Sequence, residues 1–245
     1  MRVTRAYCDT PLGNHSEVTL EGELAHYLSR VLRLKPGNPV HLFNEQEGEF
    51  SAVVTGISRR TLTVSVTAPV ASSANPTFPI HLALGLSRGD RMDYAIQKST
   101  EVGVTSITPL LSDFSEVRLT DNRLVNKLAH WRKVAISACE QCGRTRVPRI
   151  NEPVPLQPWL DAAGPGLRIL PDHRGSAALA QSARPEAANL LIGPEGGFSE
   201  GEVALAVKAG FNRVRLGPRV LRTETAPIVA ISLLQCLYGD FRQEV

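Results

Sequence analysis

Two glycine-rich segments near the C-terminal end hold the residues whose types and spacing best suit ligand chemistry. The first, residues 193–200, is GPEGGFSE, and the second, residues 216–226, is LGPRVLRTETA. Each follows a short apolar run and precedes a helical pattern, which predicts two transitions from strand to loop to helix. Glycine has no Cβ, so backbone N–H groups in such loops can approach a ligand closely. The pair of loops therefore predicts a pocket walled by main chain.

Two familiar glycine-loop sites do not fit this pattern. A phosphate-binding P-loop closes with Gly-Lys-Ser/Thr, whereas residues 196–199 are Gly-Gly-Phe-Ser and include no lysine. A dinucleotide-binding loop follows the first strand of its domain and precedes an acidic residue by about 20 positions. Here those positions hold Asn212 and Arg213, and only 52 of the 245 residues follow Gly193. The sequence thus favours neither site.

The elements that position these loops alternate between strand and helix after residue 80. Apolar patterns predict strands at 80–86 and 104–111, helices at 90–102 and 121–142, shorter elements at 155–163, 166–170 and 176–183, and a strand ending at Ile192. Ser199 and Glu202 have capping-box spacing, which predicts a helix start after the first glycine loop. A last helix is predicted from about Glu224. This alternation is typical of an α/β fold with a parallel sheet covered on both faces.

Residues 1–70 show a different pattern, with a period of two. Apolar residues alternate at Val18/Leu20, Val40/Leu42, Ala52/Val54 and Leu62/Val64/Val66, which predicts a small β barrel, interrupted by a helix at 23–32. Residues 71–79 are rich in proline and serine and are predicted to form a linker. The predicted domains are therefore 1–70 and 80–245.

Charge is unevenly distributed along the chain. The net charge is +3, but residues 118–149 hold eight Lys/Arg against two acidic residues. Such a stretch favours a polyanion such as RNA, although a solvated helix face has the same composition. No run approaches the ~18 apolar residues of a membrane span and no signal-peptide pattern is present, so a cytoplasmic location is expected. Cys139-x-x-Cys142 lacks a second pair for zinc and is predicted to be buried in a helix.

The chain resembles the SPOUT superfamily of knotted methyltransferases, and within it the bacterial 16S ribosomal RNA uracil-N3 methyltransferases. The resemblance rests on the two glycine-rich segments, on RGDRMDYAIQKSTEVGV at 88–104 and on ACEQCGR at 138–144 followed by Pro148. MRVTR at the N-terminus and HYLSRVLRLKPG at 26–37 also match, so the likeness is nearly end to end. The departures, Tyr27, Asn38 and Pro227, lie outside both glycine-rich segments.

This resemblance implies a fold, a reaction and its participants. The implied fold is a trefoil-knotted domain with a parallel sheet, preceded by a PUA-like RNA-binding barrel and assembled as a homodimer in which one subunit completes the other's pocket. The implied reaction transfers a methyl group from S-adenosyl-L-methionine to N3 of a specific uridine in the 16S rRNA of the small ribosomal subunit, without a metal. The residues expected to bind the cofactor are Leu170, Gly193, Glu195, Gly196, Gly197, Leu216, Gly217, Leu221, Arg222 and Thr223.

Arg222 and Glu224 are the predicted catalytic residues. Methylation at N3 requires the imino proton to leave while negative charge spreads onto O2 and O4 of the uracil. A guanidinium suits those oxygens, and a carboxylate can accept the proton. Structural roles remain open for both residues, because Arg222 could form a surface ion pair and Glu224 could favour the dipole of the last helix.

The predicted RNA contacts are arginines of the barrel and of the basic stretch. They are Arg2, Arg5, Arg30, Arg33, Arg132, Arg144 and Arg146. Two other functions remain compatible with the sequence: a non-catalytic RNA-binding protein with a vestigial pocket, and a methyltransferase that acts on another RNA such as tRNA. Cofactor binding distinguishes the first from an enzyme, and the identity of the modified nucleotide distinguishes the second.

Overall fold

The protein forms two compact units, each with its own sheet. In the computed structural model, the described residues are 3–13, 16–72, 74–115, 121–177, 179 and 183–242. The first unit is Met1–Asn75 together with Cys139–Val147, and the second is Pro76–Ala138 together with Pro148–Val245. Residues 139–147 thus group with the N-terminal part of the chain, although they are distant from it in sequence.

The first unit is built on a five-stranded mixed sheet. Its strands are β1 (Thr4–Tyr7), β2 (Glu17–Glu21), β3 (Pro39–Asn44), β4 (Gly48–Ile57) and β5 (Thr61–Val70). Their order is β1-β3-β4-β5-β2, in which β1 and β3 are parallel and the other pairs are antiparallel. The predicted alternation is confirmed, because Val18, Val40, Leu42 and Leu62 are buried in one core.

The helix predicted at 23–32 is divided into two parts. α1 covers Gly22–His26 and continues into a π-helical turn, Tyr27–Val31. Ala25 and Leu28 are its buried residues. Arg33 then takes a left-handed φ of 54°, a conformation that interrupts a right-handed helix.

Arg5 lies in a buried hydrogen-bond network of the first unit. Its guanidinium donates to the two carboxylate oxygens of Glu49 at 3.0 and 2.8 Å, and to the carbonyl oxygens of Cys139, Glu140, Gly143 and Arg144. The planar fork of arginine suits several acceptors at once, including the last carbonyls of a helix. With its side chain only 9% exposed, Arg5 belongs to this network rather than to an RNA surface, which corrects the expectation from sequence.

Replacing Arg5 by lysine is expected to destabilise the folded protein by about 2 kcal/mol, because one ammonium cannot reach all the acceptors that the guanidinium satisfies. Urea unfolding measures this loss. Arg30→Lys is the control, since Arg30 is exposed and its replacement should leave the unfolding midpoint unchanged. Equal midpoints for the two variants would show that the Arg5 network contributes nothing beyond its charge.

The second unit is built on a seven-stranded sheet. Its strands are β6 (Ile80–Gly85), β7 (Ser106–Leu111), β8 (Arg149–Ile150), β9 (Val154–Pro155), β10 (Leu167–Pro171), β11 (Ala188–Ile192) and β12 (Asn212–Val214). Their order is β12-β10-β11-β6-β7-β8, with β9 also paired to β7. All of these pairs are parallel, so the predicted parallel α/β sheet is confirmed.

The helices agree closely with the sequence pattern. They are α2 (Asp90–Glu101), α3 (Asp121–Cys142), α4 (Leu156–Ala162), α5 (Glu200–Lys208) and α6 (Ala226–Tyr238). Of the element predicted at 176–183, residues 178 and 180–182 lie outside the described residues, while Ala177 forms an isolated bridge to Val214. Within the described ranges, none of the helices combines the length and apolar character that a membrane crossing needs.

The carboxyl ends of β10, β11 and β12 lie side by side. β10 pairs with both of the other strands, and β11 is buried along its whole length. Because parallel strands end at the same edge of a sheet, the loops that follow them meet there. Two of these loops are the glycine-rich segments, so the sheet brings both to one place.

Candidate functional site

A pocket of about 650 Å³, here called the glycine-loop pocket, lies among the loops that follow β10, β11 and β12. Residues 170–174, 192–198, 216–217 and 219–224 supply most of its wall. Glu224 and all ten residues expected to bind the cofactor line it: Leu170, Gly193, Glu195, Gly196, Gly197, Leu216, Gly217, Leu221, Arg222 and Thr223. The loops after three strands that are distant in sequence therefore bring together the residues that the resemblance assigns to the cofactor.

Gly197 and Gly217 require the conformational freedom of glycine. Their φ angles are +72° and +122°, and a Cβ on either residue would have no protein atom within 4 Å. The space beside them is thus open to a ligand. Gly196 differs, because a Cβ there would lie 3.0 Å from the Cβ of Phe114. Packing against the protein gives a reason for glycine at 196 that does not involve a ligand.

The end of the first glycine loop is fixed by a capping box. The Glu202 backbone N–H donates to Ser199 Oγ at 3.2 Å, and the Ser199 backbone N–H donates to Glu202 Oε2 at 2.9 Å. The loop after β7 adds two bonds, because Asp113 N–H donates to Glu202 Oε1 at 3.0 Å and Ser199 Oγ donates to Asp113 Oδ2 at 2.6 Å. The predicted capping box is confirmed, and it holds the loop in place without a ligand.

Arg222 and Glu224 lie at the pocket with very different exposure. The guanidinium of Arg222 is 3.8 Å from Glu224 Oε1, and the two side chains are 79% and 15% exposed. An ion pair at this distance with one highly exposed partner is weak. Arg222 can therefore leave Glu224 at little cost and reach a ligand, while Glu224 remains in the wall.

Glu195 connects the first glycine loop to the start of α2. Arg91 Nη1 lies 3.0 Å from its Oε1. Burial acts to raise the pKa of Glu195, but hydrogen bonds from its own backbone N–H and from Arg91 outweigh burial and lower that pKa below its ordinary value. The carboxylate is ionised at neutral pH and already has a cation beside it.

Asp172 is a pocket residue that sequence reasoning missed. It follows β10 directly, and its Oδ2 lies 2.7 Å from Arg213 of β12. Burial acts to raise the pKa of Asp172, but hydrogen bonds from the Arg174 backbone and the Arg213 side chain lower it below its ordinary value. A charged residue just after the short element predicted at 166–170 was the available signal, because ligands collect at the carboxyl ends of parallel strands.

The arginines predicted to contact RNA fall into two groups. Arg30, Arg33, Arg132 and Arg146 are exposed. Arg144 is only 3% exposed and, like Arg5, lies in the interior, so its place among the RNA contacts is corrected as well. Arg2 lies outside the described residues. Charge along the sequence cannot separate these groups, because burial depends on tertiary contacts.

The two cysteines of the Cys139-x-x-Cys142 pattern are free thiols. Cys139 is buried as predicted, and burial raises its pKa to about 12, so the thiol stays protonated and unreactive. Cys142 is half-buried. In the described part of the chain, no three His, Cys, Asp or Glu residues are grouped in a way that could hold a metal ion.

Two family models match the chain, and together they cover most of it. One, described as an RNA methyltransferase domain, matches residues 73–235, and the other, described as an RNA methyltransferase PUA domain, matches residues 20–67. Ribosomal RNA small subunit methyltransferase E of Buchnera aphidicola subsp. Schizaphis graminum is 35% identical over 246 residues, which cover 98% of both chains. The chain belongs to this methyltransferase family.

Relatives of this methyltransferase family also include solved structures. Ribosomal RNA small subunit methyltransferase E of Neisseria gonorrhoeae, solved with bound S-adenosyl methionine, superposes with a TM-score of 0.93 at 34% identity, covering 98% of this chain and 100% of that one. Ribosomal RNA small subunit methyltransferase E of Bacillus subtilis is 29% identical, and the match covers 91% of this chain and 92% of that one. The similarity therefore includes both units.

Proposed function

We propose that the protein transfers a methyl group from S-adenosylmethionine to N3 of a specific uridine in the 16S rRNA of the small ribosomal subunit. Membership of the ribosomal RNA methyltransferase family supports the reaction class, and the cofactor-bound Neisseria relative supports the cofactor. The observation that carries the proposal is the glycine-loop pocket, because every residue assigned to the cofactor by resemblance lines that single pocket.

The glycine-loop pocket suits a cofactor with an aromatic base at one end and charged groups at the other. Its volume is in the range of small-molecule sites. The open space beside Gly197 and Gly217 would allow main-chain groups to meet the adenine edge, and Leu170, Leu216 and Leu221 supply apolar wall. When bound, S-adenosylmethionine supplies an electrophilic methyl group on its sulfonium.

Arg222 and Glu224 are the proposed catalytic groups. The exposed guanidinium of Arg222 would donate to the uracil oxygens, where negative charge grows as N3 loses its proton. The less exposed carboxylate of Glu224 would accept that proton, while N3 would take the methyl group as the bond from that group to the sulfonium sulfur breaks and a neutral thioether leaves. The proton then passes from Glu224 to water, which restores the ionised carboxylate for the next turnover.

The trefoil knot and the homodimer are further parts of this proposal. The knot is what the resemblance to the SPOUT superfamily implies, and it would thread the connections around the parallel strands β12-β10-β11-β6 that end at the pocket. Val220 beside the pocket and Leu233 and Leu237 on α6 are exposed apolar residues, which supports a subunit contact there. Sedimentation tests the dimer, and a fully active monomer would contradict a pocket shared between subunits.

The proposed function is tested by incubating the protein with S-adenosylmethionine and either assembled small subunits or naked 16S rRNA, and by mapping the modified base. We expect N3-methylation at one uridine. Cofactor binding by calorimetry without any methyl transfer would contradict the enzyme proposal. Transfer only to tRNA would retain the chemistry and overturn the substrate.

A further inference from the structure

The glycine-loop pocket has more positive charge than its carboxylates require. Each of its three carboxylates already has an arginine beside it: Arg91 for Glu195 at 3.0 Å, Arg213 for Asp172 at 2.7 Å and Arg222 for Glu224 at 3.8 Å. Arg213 lies behind the wall, whereas Arg91 and Arg222 line the pocket together with two further arginines, Arg174 and Arg219. Arg174 Nε is 3.6 Å from Asp172, whose closer partner is Arg213. Among the residues described, no carboxylate lies within ion-pair distance of Arg219.

The proposed cofactor does not account for these two arginines. S-adenosylmethionine carries a sulfonium and an ammonium against one carboxylate, so it is itself a net cation. Two additional cations beside it would oppose its binding rather than favour it. An anion that binds together with the cofactor would balance the excess charge. The polyanionic RNA substrate supplies one negative charge per nucleotide.

Arg174 extends from a loop that is firmly attached to the neighbouring strand. Asp172 N–H donates to the carbonyl of Val214 at 2.9 Å, and Ala177 N–H donates to the carbonyl of Arg213 at 3.1 Å. Gly175 packs so closely on Arg213 that a Cβ would lie 2.5 Å from its carbonyl oxygen. The base of Arg174 is therefore fixed, while its side chain is 57% exposed.

Arg219 comes to the same pocket from the loop that follows β12. It is exposed, and it lies between Gly217 and Arg222 in the second glycine-rich segment. The strands β10 and β12 are adjacent, so the loops that carry Arg174 and Arg219 are neighbours at the sheet edge. Two guanidinium groups from adjacent loops can bind two phosphates of one strand.

We propose that Arg174 and Arg219 hold the phosphodiester backbone of the RNA on either side of the nucleotide to be methylated. This inference rests on the proposed function and adds a substrate subsite to it. Contacts to phosphates fix the position and register of a nucleic acid, whereas contacts to the base select it. A base that leaves its stack to enter a pocket needs its backbone held in this way. Arg174 and Arg219 position the strand, and Arg222 and Glu224 act on the uracil.

The test is the salt dependence of RNA binding by the full-length protein with Arg174→Gln and Arg219→Gln combined. The probe is a single-stranded RNA oligonucleotide that contains uridine, titrated between about 50 and 200 mM salt. Loss of two phosphate contacts should flatten the slope of log Kd against log salt concentration by about 1.4, at roughly 0.7 per contact in a single strand. The KM for small subunits should rise about 10-fold or more, since both phosphate contacts are lost. The Kd for S-adenosylmethionine should not rise, and it should fall slightly, because two cations that repel the positively charged cofactor are removed.

Two matched variants complete the experiment. Arg184→Gln with Arg242→Gln removes two exposed arginines outside the glycine-loop pocket and should leave the slope unchanged. Arg174→Lys with Arg219→Lys keeps both charges and should restore most of the slope. The subsite is overturned if the slope is unchanged in the variant with Arg174→Gln and Arg219→Gln. It is also overturned if the control with Arg184→Gln and Arg242→Gln changes the slope equally. A cofactor Kd that rises in parallel with the RNA Kd assigns these arginines to the cofactor and also overturns it.

The binding experiment does not require catalysis, so it separates this inference from the proposed function. If the wild-type protein transferred no methyl group to any RNA, the proposed function would fail. The salt slopes of the Arg174→Gln, Arg219→Gln variant and of its Arg184→Gln, Arg242→Gln control would still show whether Arg174 and Arg219 bind phosphates.

Discussion

Replacing Gly197 by valine is expected to abolish binding of S-adenosylmethionine. The φ of +72° places this residue in a region that costs a residue with a Cβ about 1–2 kcal/mol, and more for a β-branched one. The valine methyl groups would also enter the open space beside the loop, where a ligand would meet main chain. Together the strain and the lost contacts should weaken binding by at least about 100-fold in calorimetry.

Gly164→Val is the matched control for this prediction. Gly164 lies between α4 and β10, and a Cβ on it would have no atom within 4 Å. Its φ is not in the left-handed region, so a side chain causes no backbone strain there. The protein should therefore bind the cofactor normally. The Gly197 variant should still fold, because the capping box at Ser199 holds the end of the loop independently. A folded Gly197→Val protein with wild-type affinity would place the cofactor elsewhere.

Local patterns were sufficient for most of the second unit. The capping-box spacing of Ser199 and Glu202 predicted the start of α5, because both hydrogen bonds form within one helical turn. Strands β6, β7 and β11 were predicted from local patterns rich in apolar residues, which are expected because both faces of a parallel sheet are buried. The two glycine loops followed from strand ends and helix starts, which are also local features.

Properties that depend on distant contacts could not be predicted. Arg5 and Arg144 have the same side chain as the exposed Arg30 and Arg146, and only the fold buries the first two. Arg5 finds Glu49 44 positions away and Cys139 134 positions away. The place of Asp172 and Arg174 in the pocket wall, and the ion pair of Asp172 with Arg213, depend on the pairing of β10 with β12, which the sequence does not state.

Replacing Arg222 by lysine is expected to slow single-turnover methylation by about 10²-fold or more, the scale for losing one oriented donor to a developing oxyanion. Lysine keeps the positive charge but loses the planar fork that could reach two oxygens. The rate should be measured at saturating S-adenosylmethionine and saturating RNA, so that weaker binding of either does not enter. Because Arg222 is 79% exposed, its replacement should leave the unfolding midpoint unchanged.

Arg219→Lys is the control within the same loop. If Arg219 binds phosphate as proposed, a lysine retains that contact, and the chemical step should slow by less than about threefold. The comparison therefore separates geometry at the uracil from charge at the backbone. If Arg222→Lys instead methylated at the wild-type rate, Arg222 would be only an ion-pair partner of Glu224. Charge on the uracil oxygens would then have to be stabilised by backbone N–H groups, for which the loops around Gly197 and Gly217 are the nearest source.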